Sequence, residues 1–277
     1  VPEASGALSW HRGAGKGGLF VADLDKQSPT EEVEPERDEA PRWEELERDI
    51  FGFQPLSSKL RPPRARLELV ARRSLLDRLL HQTEPLVLVS APAGAGKTTL
   101  LTQWFEEDPR PTAWLSLDSR DSDPIVLLRY LALALMDVAT VDPAVLDLLQ
   151  LRSPPVRDRV LPSLAASVRE TSPFLLVLDD AHLVEGPPAW DVIASLLDQL
   201  APGSKLALGS RSEPSLRLAR LRVEGRLTEV RMDDLAMDHG EARQLLDLHG
   251  VALDDDRLQS LLDATEGWAT GARLLTT

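Results

Sequence analysis

LVLVSAPAGAGKTTLLTQW, Leu86–Trp104, decides the fold. Four aliphatic residues lead into a glycine-rich turn, and Lys97-Thr98-Thr99-Leu100-Leu101 then opens a helical pattern. A glycine-rich turn is only pliable backbone; it becomes an anion site when a strand aims it and a helix presents its first N–H groups and positive dipole end. Against the phosphate-loop pattern G-x-x-x-x-G-K-[ST], the stretch fits at Gly96, Lys97 and Thr98 but carries Ala91 at the first glycine position, so that residue has to accept a negative φ. The expected roles are separable. Backbone N–H groups of Gly94, Ala95, Gly96, Lys97 and Thr98 wrap the β-phosphate of ATP or ADP, and Lys97 reaches the β and γ oxygens. The Thr98 hydroxyl ligates Mg²⁺, and Thr99 reaches toward the α-phosphate.

GAGK also occurs in RGAGKGGLF (Arg12–Phe20), and there the surroundings differ. No aliphatic strand leads into Gly13–Lys16, and Gly17-Gly18 follow where a helix and a metal-binding hydroxyl are needed, so this copy reads as a flexible turn. It belongs to an acidic stretch, residues 1–56, that has little apolar periodicity and reads as an extended tail or linker with a short helix at Trp43–Phe51.

Beyond Pro62-Pro63, short apolar runs alternate with helical patterns: LVLVSA, AWLSL (Ala113–Leu117), PFLLVLDD (Pro173–Asp180), KLALGSR (Lys205–Arg211) and LTEVRM (Leu227–Met232). Continuous runs of this length suit strands covered on both faces, which predicts a three-layer α/β domain over residues 57–235. Helices are expected at Ala71–Gln82, Thr98–Glu107, Pro124–Ala139, Pro143–Leu151, Val156–Thr171, Pro188–Leu200 and Pro214–Glu224, several with proline in the first turn. After Met232 only helical patterns remain, so residues 236–277 read as part of a small helical lid that begins near Asp238.

A phosphate loop calls for a second, acidic strand. LLVLDD supplies one, with Asp179-Asp180 at the carboxyl end of a buried strand, the edge where open α/β sheets place ligands. Asp179 is expected to hold Mg²⁺ through water, and Asp180 to orient or deprotonate the attacking water; taken alone, such a pair also suits a helix N-cap. Arg211, at the end of LALGSR, is placed to sense the γ-phosphate or to stabilise charge during transfer, with a surface ion pair as the alternative.

The net charge of −14 disfavours a grip on nucleic-acid phosphates, so any DNA contact belongs to a domain outside this chain. Without cysteine there is neither a disulfide framework nor a thiolate metal site, and five scattered histidines form no ligand-spaced cluster. No signal peptide or membrane-length apolar run is present, which makes a cytoplasmic protein without membrane contact the expectation. The opening at Val1 and the close in GWATGARLLTT suggest a piece of a longer protein.

With these residues in hand, the chain resembles the signal-transduction ATPases with numerous domains (STAND), in the subgroup of MalT and the large LuxR-type regulators. The resemblance rests on SSKLRPP, VARRSLLDRLL, VSAPAGAGKTTLLTQW, AWLSLD, LLVLDDAHLV, LALGSR, LARLRVEGRLTEVRMDDLAM and TEGWATGARLL, in order from Ser57 to the end. It implies an ASCE/AAA+-like five-stranded parallel sheet in which LALGSR lies between the phosphate-loop strand and the acidic strand. It also implies an ATP/ADP switch that is closed with ADP and self-associating with ATP, with hydrolysis resetting it. Helix-turn-helix effectors are usual in that family and kinase fusions occur. By the same likeness Val70 and Arg72 flank the adenine, and His182 is the family's histidine after the acidic pair. Trp268 stands in the Gly-Trp-Ala-Thr variant of the adenine-side motif, where a core aromatic under the lid is the alternative. Two other functions compete: a P-loop small-molecule kinase, and a scaffold that holds nucleotide without hydrolysing it.

Overall fold

The apolar runs become strands because their alternate residues serve two layers. The computed structural model describes residues 55–64, 70–265 and 267. In it β1 (Leu86–Ser90), β2 (Thr112–Ser116), β3 (Leu175–Asp179), β4 (Lys205–Ser210) and β5 (Leu227–Val230) form one sheet in the order β2-β3-β4-β1-β5. Every pairing is parallel. Helices α1 (Arg73–Leu80) and α2 (Lys97–Glu107) cover one face, packing on Val87, Val89, Leu175, Val177 and Ala207. The other face, with Leu86, Leu88, Leu176, Leu178, Leu206 and Leu208, is covered by α3 (Pro124–Leu135), α4 (Pro143–Gln150), α5 (Leu161–Arg169), α6 (Pro187–Asp198) and α7 (Leu218–Val223). β3 and β4 are buried along their whole length, whereas the edge strand β5 buries only Val230.

Among the element boundaries that depart from the sequence reading, three have a local reason. The helix expected from Val156 begins as a wide turn, Val156–Val160, before α5 takes over. Pro162 has no N–H to give to the carbonyl four residues back, and the backbone there switches to a bond from Leu161 N–H to Val156 O. β5 stops at Val230 because the Asp234 carboxylate accepts the Arg231 N–H at 2.8 Å and turns the chain into α8 (Met232–Leu235). The helix expected over Pro214–Glu224 is confined to α7, after a Ser- and Pro-containing loop.

Asp238 caps α9 (His239–Leu248), accepting the Glu241 N–H at 2.8 Å while the Glu241 carboxylate accepts the Asp238 N–H at 3.1 Å. This reciprocal box starts a helix where the sequence places one. α9 and α10 (Asp255–Thr265) pack through Ala242, Leu246, Leu258 and Leu262. Among the described residues no helix is long and apolar enough to cross a membrane. The turn at Gly13–Lys16, the helix at Trp43–Phe51 and the role of Trp268 lie outside the described residues.

Candidate functional site

The site is built on the carboxyl ends of β1, β3 and β4. Gly94 and Gly96 take φ of +79° and +91°, with Ala95 buried between them. These left-handed steps curl the loop so that Gly96 becomes the N-cap of α2, and a Cβ-bearing residue would be strained there. Gly96 supplies no side-chain cap, and the first helical bond is Leu100 N–H to Gly96 O at 2.9 Å. The first-turn amides of α2 therefore have no intrahelical acceptor, an arrangement suited to an anion. Thr99 is half-buried in the same turn. Ala91, at the pattern's first glycine position, is buried and keeps a negative φ, as the sequence requires of it; its N–H bonds to Ser210 O at 3.3 Å.

β4 lies between β1 and β3, in the order implied by the family resemblance. This brings the acidic strand to the loop only because β4 carries Gly209: a Cβ there would stand 2.3 Å from Asp179 Oδ1 and 2.7 Å from Leu101 Cδ1. Sequence reasoning passed over this glycine, whose signal was its place inside an otherwise buried strand. Through the gap Asp179 reaches α2, and Thr98 Oγ1 donates to Asp179 Oδ2 at 2.7 Å.

The two adjacent carboxylates occupy different surroundings. Asp179 is 2% exposed, and its Oδ1 is buried without a hydrogen-bond partner. Burial pushes its pKa above the ordinary carboxylate value, although the Thr98 hydroxyl pulls the other way. Asp180, one step beyond the strand, sits at φ +56° and is turned out, its side chain 43% exposed. His182 Nδ1 stands 3.9 Å from Asp180 Oδ1, too far for a hydrogen bond, and is itself buried without a partner. Burial, and then the charge of Arg211, lower the imidazole pKa, which keeps the ring neutral at physiological pH.

Lys97 is buried, and its Nζ donates to Pro92 O at 2.8 Å. Desolvation first and Arg211 second lower its pKa, with Asp179 and Asp180 opposing. Arg211 is exposed at the end of β4, close enough to depress both Lys97 and His182. Lys97, Thr98, Asp179, Asp180, His182 and Arg211 thus share one electrostatic neighbourhood. A hydroxyl beside a buried carboxylate with an unsatisfied oxygen is a hard oxygen donor set that fits Mg²⁺.

Val70 and Arg72 are placed differently. Val70 packs with Leu245 of α9, and the buried Arg72 guanidinium bonds to Glu241 and to the carbonyls of Asp234, Leu235 and Ala236. The side chain is directed to the junction before α9 rather than to the phosphate loop.

The environment of Asp179 sets a stability prediction. A carboxyl whose pKa is raised by folding costs stability when ionised; the cost is present above the raised value and fades as pH falls through it toward the unfolded value. Asp179→Asn removes the charge and keeps an acceptor for Thr98. It is expected to stabilise the ligand-free protein by about 1–3 kcal/mol and to raise its melting temperature by several degrees. The gain should shrink toward pH 4 as the wild-type carboxyl protonates, which calorimetric melts across pH would show; a lower melting temperature at pH 7 would contradict it.

The AAA ATPase domain family matches residues 66–208, more than half of the 277-residue chain. The HTH-type transcriptional regulator MalT of Klebsiella pneumoniae is 32% identical over 225 residues, covering 79% of this chain and 25% of MalT. Serine/threonine-protein kinase PknK of Mycobacterium tuberculosis is also 32% identical over 225 residues, covering 79% of this chain and 20% of the kinase. The chain thus spans a quarter or less of the length of these relatives. A STAND protein with a tetratricopeptide repeat sensor from Pyrococcus horikoshii shares the fold, with a TM-score of 0.54 at 17% identity over 75% of this chain and 29% of that one. With a match over its loop and acidic strand, this chain belongs to the AAA ATPase domain family and has regulators of the MalT kind among its relatives.

Proposed function

We propose that this chain is the ATP/ADP-binding switch module of a signal-transducing regulator of the STAND kind. The observation that carries the reading is the 2.7 Å hydrogen bond from Thr98 to Asp179, which joins the phosphate-loop helix to the acidic strand across Gly209. In this reading the backbone from Gly94 to Thr98 cradles the β-phosphate, Lys97 exchanges its bond to Pro92 for phosphate oxygens, and Thr99 reaches toward the α-phosphate. Thr98 and Asp179 would hold Mg²⁺, which when bound neutralises phosphate charge.

Asp180 orients or deprotonates the attacking water, and the neutral imidazole of His182 stands near that carboxylate, 3.9 Å away and without a bond to it. Arg211 approaches the γ-phosphate from the end of β4. The adenine lies by Val70 and Arg72, and the family likeness adds Trp268 to that contact. Residues 57–235 form the nucleotide domain and residues 236–277 the beginning of a lid. ATP favours an open, self-associating state, and slow hydrolysis to ADP and phosphate returns the chain to the closed one. The effector of the parent protein, DNA-binding as in MalT or kinase-linked as in PknK, lies outside this chain.

Light scattering on the size-separated protein tests the switch. A larger mass is expected with a non-hydrolysable ATP analogue and Mg²⁺ than with ADP, and equal masses with both nucleotides bound would remove self-association from the proposal. Nucleotide released on denaturing the purified protein, identified chromatographically, would show which form is retained.

A further inference from the structure

The segment that precedes α1 is tied at two ends. On one side, Gln103 of α2 clasps its backbone: the buried side-chain amide accepts the Arg72 N–H at 3.3 Å and donates to Val70 O at 2.9 Å. Gln103 stands on the helix that begins at Lys97, so the clasp is fixed rigidly to the phosphate loop. On the other side, the Arg72 guanidinium, 6% exposed, fills the junction between α8 and α9. Nε donates to Glu241 Oε1 at 2.9 Å, one terminal nitrogen donates to Leu235 O at 2.9 Å, and the other to Ala236 O at 3.1 Å and Asp234 O at 3.4 Å.

Those carbonyls close a helix of only four residues, whose last C=O groups have no partners of their own. Glu241, which accepts from Arg72, also belongs to the capping box of α9, so one carboxylate fixes both the start of that helix and the arginine. Gly267 braces the junction from behind: its carbonyl accepts the Met237 N–H at 2.9 Å, and a Cβ on it would stand 2.9 Å from Ala236 Cβ.

We infer that Arg72 is a positioning residue that latches α9 and α10 to the phosphate-loop helix, and that Gln103 carries the state of that loop to the latch. A buried guanidinium needs its acceptors together, so the junction is held in one arrangement or released as a unit rather than deformed gradually. A shift or rotation of α2 when phosphates engage its N-terminus moves Gln103, and the two-point clasp passes that movement to residues 70–72. The alternative, a merely structural arginine, predicts no such transmission. The coupling to nucleotide rests on the function proposed above; the latch itself does not.

Amide hydrogen exchange on the whole chain separates the two. Without nucleotide, Arg72→Met is expected to speed exchange in residues 239–248 on the order of tenfold or more while α3 exchanges at the wild-type rate. Glu241→Gln, which removes one arm and leaves the packing intact, should produce a smaller acceleration confined to the same residues and covers the case in which Arg72→Met fails to fold. Wild-type exchange in residues 239–248 of either folded variant, or equal acceleration in α3, would overturn the latch. With Mg²⁺ and ADP, wild-type residues 239–248 should change their protection, and Gln103→Leu should abolish that change although ADP still binds. A Gln103→Leu protein that binds ADP and responds like wild type would overturn the coupling. Failure of the wild type to bind ADP would overturn the nucleotide reading and the coupling with it, leaving the nucleotide-free comparison to decide the latch.

Discussion

Lys97→Ala is expected to weaken ATP binding by about 10²–10³-fold, from the loss of two charge-assisted hydrogen bonds offset in part by the bond Lys97 gives up. Lys97 is buried, its pKa is held down by desolvation and by Arg211, and its ammonium has the Pro92 carbonyl as acceptor. One carbonyl is a poor counterpart for a desolvated cation. A triphosphate would replace it with anionic oxygens and draw the lysine pKa back up, so binding should be accompanied by proton uptake at pH values near the depressed value. Titration calorimetry in two buffers of different ionisation enthalpy would report both the affinity and the proton. The same substitution removes a charge that is costly in the ligand-free fold, so its melting temperature should hold or rise. An affinity within threefold of wild type, in a variant that melts normally, would take Lys97 out of the site.

The contrast between stability and binding at this residue bears on what could be read from the sequence. The phosphate loop and the acidic strand were legible because each is a local pattern: apolar residues ending in a turn, or in a pair of acids, at the mouth of a buried sheet. Strand order came only through family likeness, since parallel pairing is a long-range contact that leaves no local mark. Gly209 illustrates the limit. Its meaning depends on Asp179, thirty positions earlier in the chain, entering the space that a Cβ would fill. Arg72 is a second case. The sequence shows an arginine before an amphipathic helix, but its three carbonyl acceptors lie more than 160 residues away. Proline effects were legible in the first turns of α3, α4 and α6. They were missed at Pro162, where the helical period of the surrounding residues masked a one-residue change of backbone bonding.

Asp180→Asn should lower the rate of ATP hydrolysis by about 10²–10⁴-fold, the range of a lost general base, with little change in ATP affinity. The division of labour between the two acids follows from their placement. Asp179 is buried at the strand's end, where one oxygen accepts from Thr98 and the other has no partner. At Asp180 the left-handed turn leaves the side chain 43% exposed, beside His182. A carboxylate held in a sparsely populated backbone region at a strand's edge has solvent access and a fixed direction, both of which activation of water requires. Single-turnover hydrolysis with enzyme in excess isolates the chemical step from product release and is the appropriate measurement. The expected variant binds ATP like wild type, hydrolyses it slowly, and accumulates in the self-associated form. His182 lies 3.9 Å from Asp180 Oδ1; an action of the imidazole through that carboxylate predicts that His182→Ala slows hydrolysis in the wild-type background and adds little in the Asp180→Asn background. Undiminished turnover in Asp180→Asn would assign the base elsewhere, and full additivity of the two substitutions would separate His182 from Asp180.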